Sequence, residues 1–364
     1  MTPRTPSPRV RGDLNTRSTS RIVHSSRRAN SHRQYRTRFE HFRSSRATST
    51  GNRRDLEEWQ SDLQAAALDN TIIQIEDNAL REREIKSVVP RIGNLAIDKP
   101  DGVWRIAYCQ LNNMSGSDTR RHKIKDLQWI IQDFDVDGVA LCEVGVNWTS
   151  GRGHSLKSWC SPYFSHDISC VTAHNIHAPR VSLGQPGGTG ILITPTLFEY
   201  ARSTDNDHRG LGRWTSWLLS HTPDHTTRLV SAYCPGSGSS DKGLKTVYRP
   251  HVNHIQKANL GRTPYQLFFD DLILQLKKWR SNNERIILCI DLNEHSLTGQ
   301  IARRLRSNDI ELHESTHMFW PEGQQPHTHI DGSRPIDGIF TTPDIDVTNS
   351  LLLSFHKSAG DHRT

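Results

Sequence analysis

Six short segments of this chain run directly into strongly polar residues. Ile106-Ala107-Tyr108-Cys109 leads to Gln110-Leu111-Asn112-Asn113, and Gly138-Val139-Ala140-Leu141-Cys142 leads to Glu143. Leu229-Val230-Ser231-Ala232 is followed by Tyr233-Cys234-Pro235, and the run from Ile286 to Ile290 by Asp291-Leu292-Asn293. Ser333-Arg334-Pro335-Ile336 enters Asp337-Gly338, and Ser358-Ala359-Gly360 precedes Asp361-His362. Carboxylates and amides are hard oxygen ligands of the kind Mg²⁺ takes, while imidazole, phenol and carboxylate can hold or move protons. A single Glu after an apolar run is ordinarily a solvated turn residue. Six such endings in one chain mark loops that a rigid scaffold brings to one place.

The scaffold is legible in the periodicity. Short β-rich runs predict strands over 103–109, 137–142, 188–194, 214–220, 227–233, 285–290 and 336–340, and helical spacing predicts helices over 121–133, 264–280 and 297–306. Strands interleaved with helices, several adjacent without a crossover, imply an α/β domain of mixed sheets with helices outside. Gly187-Gly188-Thr189-Gly190 lacks the Gly-Lys-Ser/Thr ending of a phosphate loop and precedes a strand, so it is read as a turn. Arg209, Arg213 and Trp214 form a basic-aromatic group that is a candidate for nucleic-acid backbone contact, against the ordinary alternative of solvated loop arginines. His327 and His329 flank Thr328 in a His-x-His pair. No third and fourth ligand follow at metal-site spacing, which argues against zinc.

The 364 residues suffice for one large domain plus an extension. The apolar fraction of 34% and mean hydropathy of −0.66 are low for a compact protein. Residues 1–54 account for much of this, with 14 Arg against two acids, a net +12 that leaves the rest at −5 within the chain's +7. This Arg/Ser-rich stretch reads as a disordered basic tail suited to a polyanion, or as a solvated leader. Residues 55–98 read as a helical segment and linker, with Leu56, Trp59 and Leu63 at helical spacing, and 99–364 as the catalytic domain. The six cysteines show no CxxC pair and read as reduced core thiols of an intracellular protein, nuclear or organellar. The sequence has neither an apolar run long enough for a membrane helix nor a secretory signal at its start.

The ordered series of polar endings resembles the endonuclease/exonuclease/phosphatase (DNase I-like) superfamily from about Trp104 onward. Ile290-Asp291-Leu292-Asn293 resembles its G-D-F-N, Gly360-Asp361-His362 its S-D-H, and Ser333 to Ile339 its S-x-x-I-D-x-I. The stretch from Tyr265 through Trp279 to Asn293 is most similar to endonuclease domains of non-LTR retrotransposons. The resemblance implies a four-layer α/β sandwich of two mixed β-sheets flanked by helices, and a Mg²⁺-dependent phosphodiesterase, with Mn²⁺ as an alternative ion. It implies that Glu143, Asn112 and Asp361 hold the metal and that Asp291 orients or deprotonates the attacking water. It further implies that Asn293 aligns water and phosphate, that His362 donates to the phosphate with Asp337 holding its tautomer, and that Tyr233 contributes its hydroxyl. Thr328 would have a supporting role.

The implied function is a DNA endonuclease of mobile-element type with nucleic acid as partner. Rival readings keep the chemistry on RNA or a phosphorylated small molecule, or make the chain a decayed nucleic-acid-binding remnant. Departures from the family pattern feed the last reading: Gln110 stands for an Asn, Gly236 for an Asn, and Ile290 for a Gly ahead of the catalytic Asp. Members also continue into a further core strand. The chain is therefore expected to be truncated there, with His362 on a frayed end and activity reduced.

Overall fold

The computed structural model describes residues 92–94, 99–149, 155–164, 167–177, 183–222, 225–236, 246–320 and 326–364. The basic segment 1–54 and nearly all of 55–98 lie outside them. The described strands are β1 (Ile92–Asn94), β2 (Ile106–Gln110), β3 (Gly138–Cys142), β4 (Ser169–Ala173), β5 (Thr189–Ile193), β6 (Ala201–Asn206), β7 (Trp214–Thr222), β8 (His225–Tyr233), β9 (Arg285–Asp291), β10 (His313–Glu314), β11 (Asp337–Thr341) and β12 (Ser350–Leu352). The helices are α1 (Ser117–Asp133), α2 (Leu156–Cys160), α3 (Pro195–Phe198), α4 (Tyr248–Lys257), α5 (Pro264–Ser281) and α6 (Gln300–Leu305). Each strand and helix expected from residue 99 onward is present, and the helical segment expected within 55–98 lies outside the described residues. Unforeseen are β4 and β6, short or polar runs without an apolar alternation, and the brief β1, β10 and β12. Part of the expected linker is thus a strand, because Ile92–Asn94 pairs antiparallel with Leu352–Ser350.

Among the described residues, the larger sheet has the order β10-β11-β9-β8-β7-β6 and the smaller β2-β3-β5-β4. Both are mixed, since β8 pairs parallel with β9 and β2 with β3, while the other pairings are antiparallel. Strand alternation makes the layers. In β3, Ala140 and Cys142 face the larger sheet, where Leu229, Ile287 and Cys289 meet them. Its intervening Val139 and Leu141 pack outward with Ile124, Leu127, Ile130 and Ile131 of α1. In β9, Ile286, Leu288 and Ile290 pack with Phe268, Leu272 and Leu276 of α5 and with Ile301 and Leu305 of α6. The result is the expected four layers: helix, sheet, sheet, helix.

Local chemistry fixes the long helix. Thr263 caps α5 by accepting from Gln266 N, and Gln266 accepts from Thr263 N in return, with Pro264 at the first position. The six cysteines are free, and all but Cys170 are buried. No described helix is long and apolar enough to cross a membrane.

The basic-aromatic group expected at the surface is instead largely interior. Arg213 is 1% exposed and Trp214 fully buried. Arg213 Nε and Nη2 each lie 2.7 Å from Asp207, and Nη2 lies 2.9 Å from Asp271, which Arg209 also reaches at 2.6 Å. Burial favours the neutral Asp207, but the Arg213 guanidinium outweighs it and holds the carboxyl below its ordinary range. A carboxyl depressed by folding stabilises above its unfolded pKa and loses that contribution as pH falls through the folded value. Asp207→Asn should therefore cost about 3–5 kcal/mol at neutral pH, because Arg213 keeps its buried charge with one partner fewer. Urea denaturation at pH 7 measures this, and a loss below about 1 kcal/mol would show that Asp271 alone compensates the guanidinium.

Candidate active site

The strand register builds the site. Tyr233 at the end of β8 pairs with Asp291 at the end of β9, and Asp291 pairs with Asp337 at the start of β11. These three residues form one row across one edge of the larger sheet. The row shares the parity of Ile287 and Cys289, so its side chains face the smaller sheet. Opposite them, β2 presents Tyr108 and Gln110, two residues apart and therefore on one face. Tyr108 donates to Asp337 Oδ1 at 2.9 Å and Gln110 Nε2 donates to Asp291 Oδ2 at 3.1 Å.

His362 completes this group. Its Nδ1 lies 2.6 Å from Asp337 Oδ2, a charge-assisted bond in a buried place. Burial alone would lower the imidazole pKa, but Asp337, aided by Asp291 and Asp361, carries it up to about 10. His362 is therefore an imidazolium at neutral pH, with Nδ1–H committed to Asp337 and Nε2–H as its other donor. The expected frayed end is corrected. Arg363 N donates to Thr328 O at 2.8 Å, Leu353 N to Thr364 O at 2.8 Å, and Ile330 N to Asp361 O at 2.9 Å. Thr328 supports from the other side, its Oγ1 accepting from Ile336 N at 3.0 Å and Asp337 N at 3.2 Å.

Asp291 is almost fully buried, and burial first, then the Asp337 charge, pushes its carboxyl well above the ordinary value. Its Oδ1 accepts Asn293 N at 2.8 Å, a local turn that sets Asn293 in the left-handed region at φ 51°. Asn293 Nδ2 then donates to Cys234 O at 2.7 Å. Ile290 does not crowd this turn, because its side chain points into the helix-facing core. Gln110 spends its amide nitrogen on the Asp291 contact.

Glu143, Asn112 and Asp361 gather where the smaller sheet ends. Glu143 at φ 47° adopts the left-handed backbone that a long side chain seldom takes, a local strain typical of working sites, and Asn112 at φ 43° shares that conformation, which asparagine tolerates. Behind Glu143, Val144 N and Gly145 N donate to Gly188 O and Gly187 O, so the expected glycine turn braces the Glu143 loop and then enters β5. Burial raises the Glu143 pKa; a Tyr233 hydrogen bond lowers it, and the Asp361 charge raises it again. Tyr233, raised well above its ordinary value by burial and by Glu143, stays a phenol and donates.

The donor set fits a hard divalent cation. Asp361 Oδ1 is buried with no hydrogen-bond partner, and Asn112 Nδ2 donates to Asp361 Oδ2 at 2.6 Å, which leaves the Asn112 carbonyl oxygen as an acceptor. A His329-Asp361-His362 group also lies within ligand reach. In it His329 Nδ1 accepts Asp331 N at 3.1 Å and His362 Nδ1 is held by Asp337. Asp291, Asp337 and His362 form a second such group, fully buried.

Asn112, Glu143, Tyr233 and Asn293 line one cleft of about 680 Å³, and Asp361 joins it through Asn112. All eight expected site residues thus come together, and Gly236 lies on the cleft wall. Three contributors were missed. Tyr108 looked like an ordinary strand aromatic, although its place two residues before Gln110 put both on one face. His329 packs edge-on against His362 with ring centroids 4.9 Å apart. Lys123, on α1, donates to the carbonyls of Leu111 and Asn112 and eases the Glu143 charge, with no local signal in the sequence.

With the geometry in place, comparison gives the fold a name. No protein-family model matches the chain, and no curated protein matches its sequence. Among solved structures, the AP endonuclease LMAP from Leishmania major is similar at 14% identity, over 78% of this chain and 93% of that one, with a TM-score of 0.52. The APE2 catalytic domain of Xenopus laevis matches at 14% identity over 71% and 89% with a TM-score of 0.48. The endonuclease domain of TRAS1, a telomere-specific non-LTR retrotransposon, matches at 12% over 72% and 95% with a TM-score of 0.40. The chain has the DNase I-like fold of the endonuclease/exonuclease/phosphatase proteins.

Asp337→Asn removes the charge that holds the His362 proton. The imidazole pKa should fall from about 10 to near or below its ordinary value, as followed by NMR titration of the His362 ring protons. A value that stays near 10 would mean that Asp291 and Asp361, rather than Asp337, set it.

Proposed function

We propose that this chain is a Mg²⁺-dependent phosphodiesterase that nicks DNA, an endonuclease of mobile-element type. The observation that carries the reading is the buried Asp337–His362 ion pair set beside the Asp291 carboxylate, with Tyr233, the register partner of Asp291, and Glu143 lining the cleft. General-base, donor and cation-binding groups of this kind are what hydrolysis of a phosphodiester requires.

Each residue has a distinct task. Asp291 accepts a proton from the attacking water, and its raised pKa makes it a better base than an exposed carboxylate. Gln110 holds one Asp291 oxygen and the Asn293 backbone the other, which aims the carboxylate. The Asn293 amide and the Tyr233 hydroxyl bind the phosphate, and His362 donates Nε2–H to the oxygen on which charge grows. Glu143, Asp361 and the Asn112 carbonyl oxygen are the groups that would hold Mg²⁺. Its chemistry at that place is charge neutralisation on phosphoryl and leaving oxygens.

Support for a DNA substrate comes from sequence. Residues 1–54 carry a net +12 suited to phosphate contacts, and the Tyr265–Asn293 stretch resembles retrotransposon endonucleases. A chain acting on DNA would work inside the cell, as its free thiols suit.

Nicking of supercoiled plasmid tests the proposal. The full chain should nick with Mg²⁺ and stop when a chelator is added. Asp291→Asn and Glu143→Ala should each lower the rate by about 10²-fold or more. A folded chain that fails to nick, or variants that nick at the parental rate, would falsify the assignment; cleavage of RNA alone would move the substrate.

A further inference from the structure

A second groove adjoins the catalytic cleft. It encloses about 430 Å³ and is lined by Tyr248, Arg262, Tyr265, Phe269, Asp270 and Gln300, among others. Tyr248 also lines the catalytic cleft, so one side chain borders both spaces. None of these residues takes part in the hydrolytic arrangement above.

Two aromatic side chains of one helix line the groove. Tyr265 and Phe269 are four residues apart on α5 and so share one side of the helix. Their planes lie within 16° of parallel, with centroids 6.4 Å apart. Both rings pack partly on the helix-side core and stay partly open to the groove. Tyr265 is held in place because its hydroxyl donates to Glu294 Oε2 at 3.1 Å. Glu294 directly follows Asn293, so this ring is tied to the phosphate-binding end of the site. Arg262 stands at the rim, half exposed, with its Nε 3.1 Å from Asp270 Oδ2. A surface ion pair of that exposure is weak, and a phosphate or base edge can compete for its guanidinium.

Flat parallel rings with one cationic group at the rim match an unpaired nucleobase and its phosphate, because every base offers a π-face and stacking needs no sequence. We infer that this groove is a stacking subsite for one unpaired nucleotide of the DNA strand, next to the nucleotide whose phosphate is cut. The inference rests on the nuclease reading and extends it. The preferred substrate has a base out of the duplex beside the nick site, as at a single-strand junction or a distorted step, rather than uninterrupted duplex. A paired base keeps its face against its duplex neighbours and cannot enter.

The test uses the full chain in metal-free buffer with a twelve-nucleotide single-stranded DNA carrying one 2-aminopurine, a base whose fluorescence falls on stacking. The wild type should quench it on binding. Phe269→Leu, which keeps apolar bulk and loses the ring, should bind the single strand roughly tenfold more weakly, and Phe269→Tyr should restore the quench. Leu274→Ala, at an exposed position of the same helix outside the groove, serves as the control that matches wild type. Absence of quenching, or equal affinity for Phe269→Leu and wild type, overturns the inference. If plasmid nicking persists in that case, the nuclease reading stands and only the subsite falls. If the folded chain neither nicks plasmid nor binds DNA of either kind, both are overturned.

Discussion

Four carboxylates share one edge of this molecule, and their mutual repulsion is the constraint around which the rest is arranged. Asp291 and Asp337 are adjacent in register and buried, while Glu143 and Asp361 sit close enough for the Asp361 charge to raise the proton affinity of Glu143. Buried like charges cannot all ionise without compensation. His362 supplies one positive charge from inside the group, and its bond to Asp337 also anchors the segment that carries Asp361. Beside Glu143, Asp361 Oδ1 is buried without a hydrogen-bond partner.

Two stacked sheets are what make such crowding tolerable. The inward row of Tyr233, Asp291 and Asp337 would be solvated on a single sheet. Facing β2, it receives hydrogen bonds from Tyr108 and Gln110 that satisfy carboxylate oxygens of Asp337 and Asp291. The left-handed backbone at Asn112, Glu143 and Asn293 follows from the same demand, since each strand must turn sharply for its last side chain to reach the cleft. Gly360 permits the final approach, because a Cβ there would run into the Gln110 carbonyl oxygen. Rigid strands thus carry the reacting groups, and the loops contribute only one or two residues each.

The stability of this edge is linked to the far side of the larger sheet. Tyr233 N donates to Arg213 O at 2.8 Å, and the Arg213 side chain is locked by Asp207 and Asp271. The arginine whose surroundings suit a polyanion at the surface therefore acts inside, bracing the strand that ends in a site residue. Its sequence neighbourhood, with Gly210, Gly212 and Trp214, looks like a loop, and only the pairing with Asp271, far along the chain on α5, buries it.

Local pattern by itself determined the main strands and helices, because apolar alternation and helical spacing report which face meets a core. It also marked the strongly polar ends of the apolar runs, while the choice of the eight expected site residues among them rests on the family resemblance. The short strands β1, β10 and β12 and the polar β6 left no such trace; they owe their form to partners far along the chain. That Asp337 pairs with His362, that Gln110 and the Asn293 backbone hold Asp291, and that Asp361 keeps an unpartnered oxygen were decided by tertiary structure alone. A pKa or a tautomer is set by what lies within a few ångströms in space, and Tyr108, Lys123 and His329 come within that range only after two sheets have stacked.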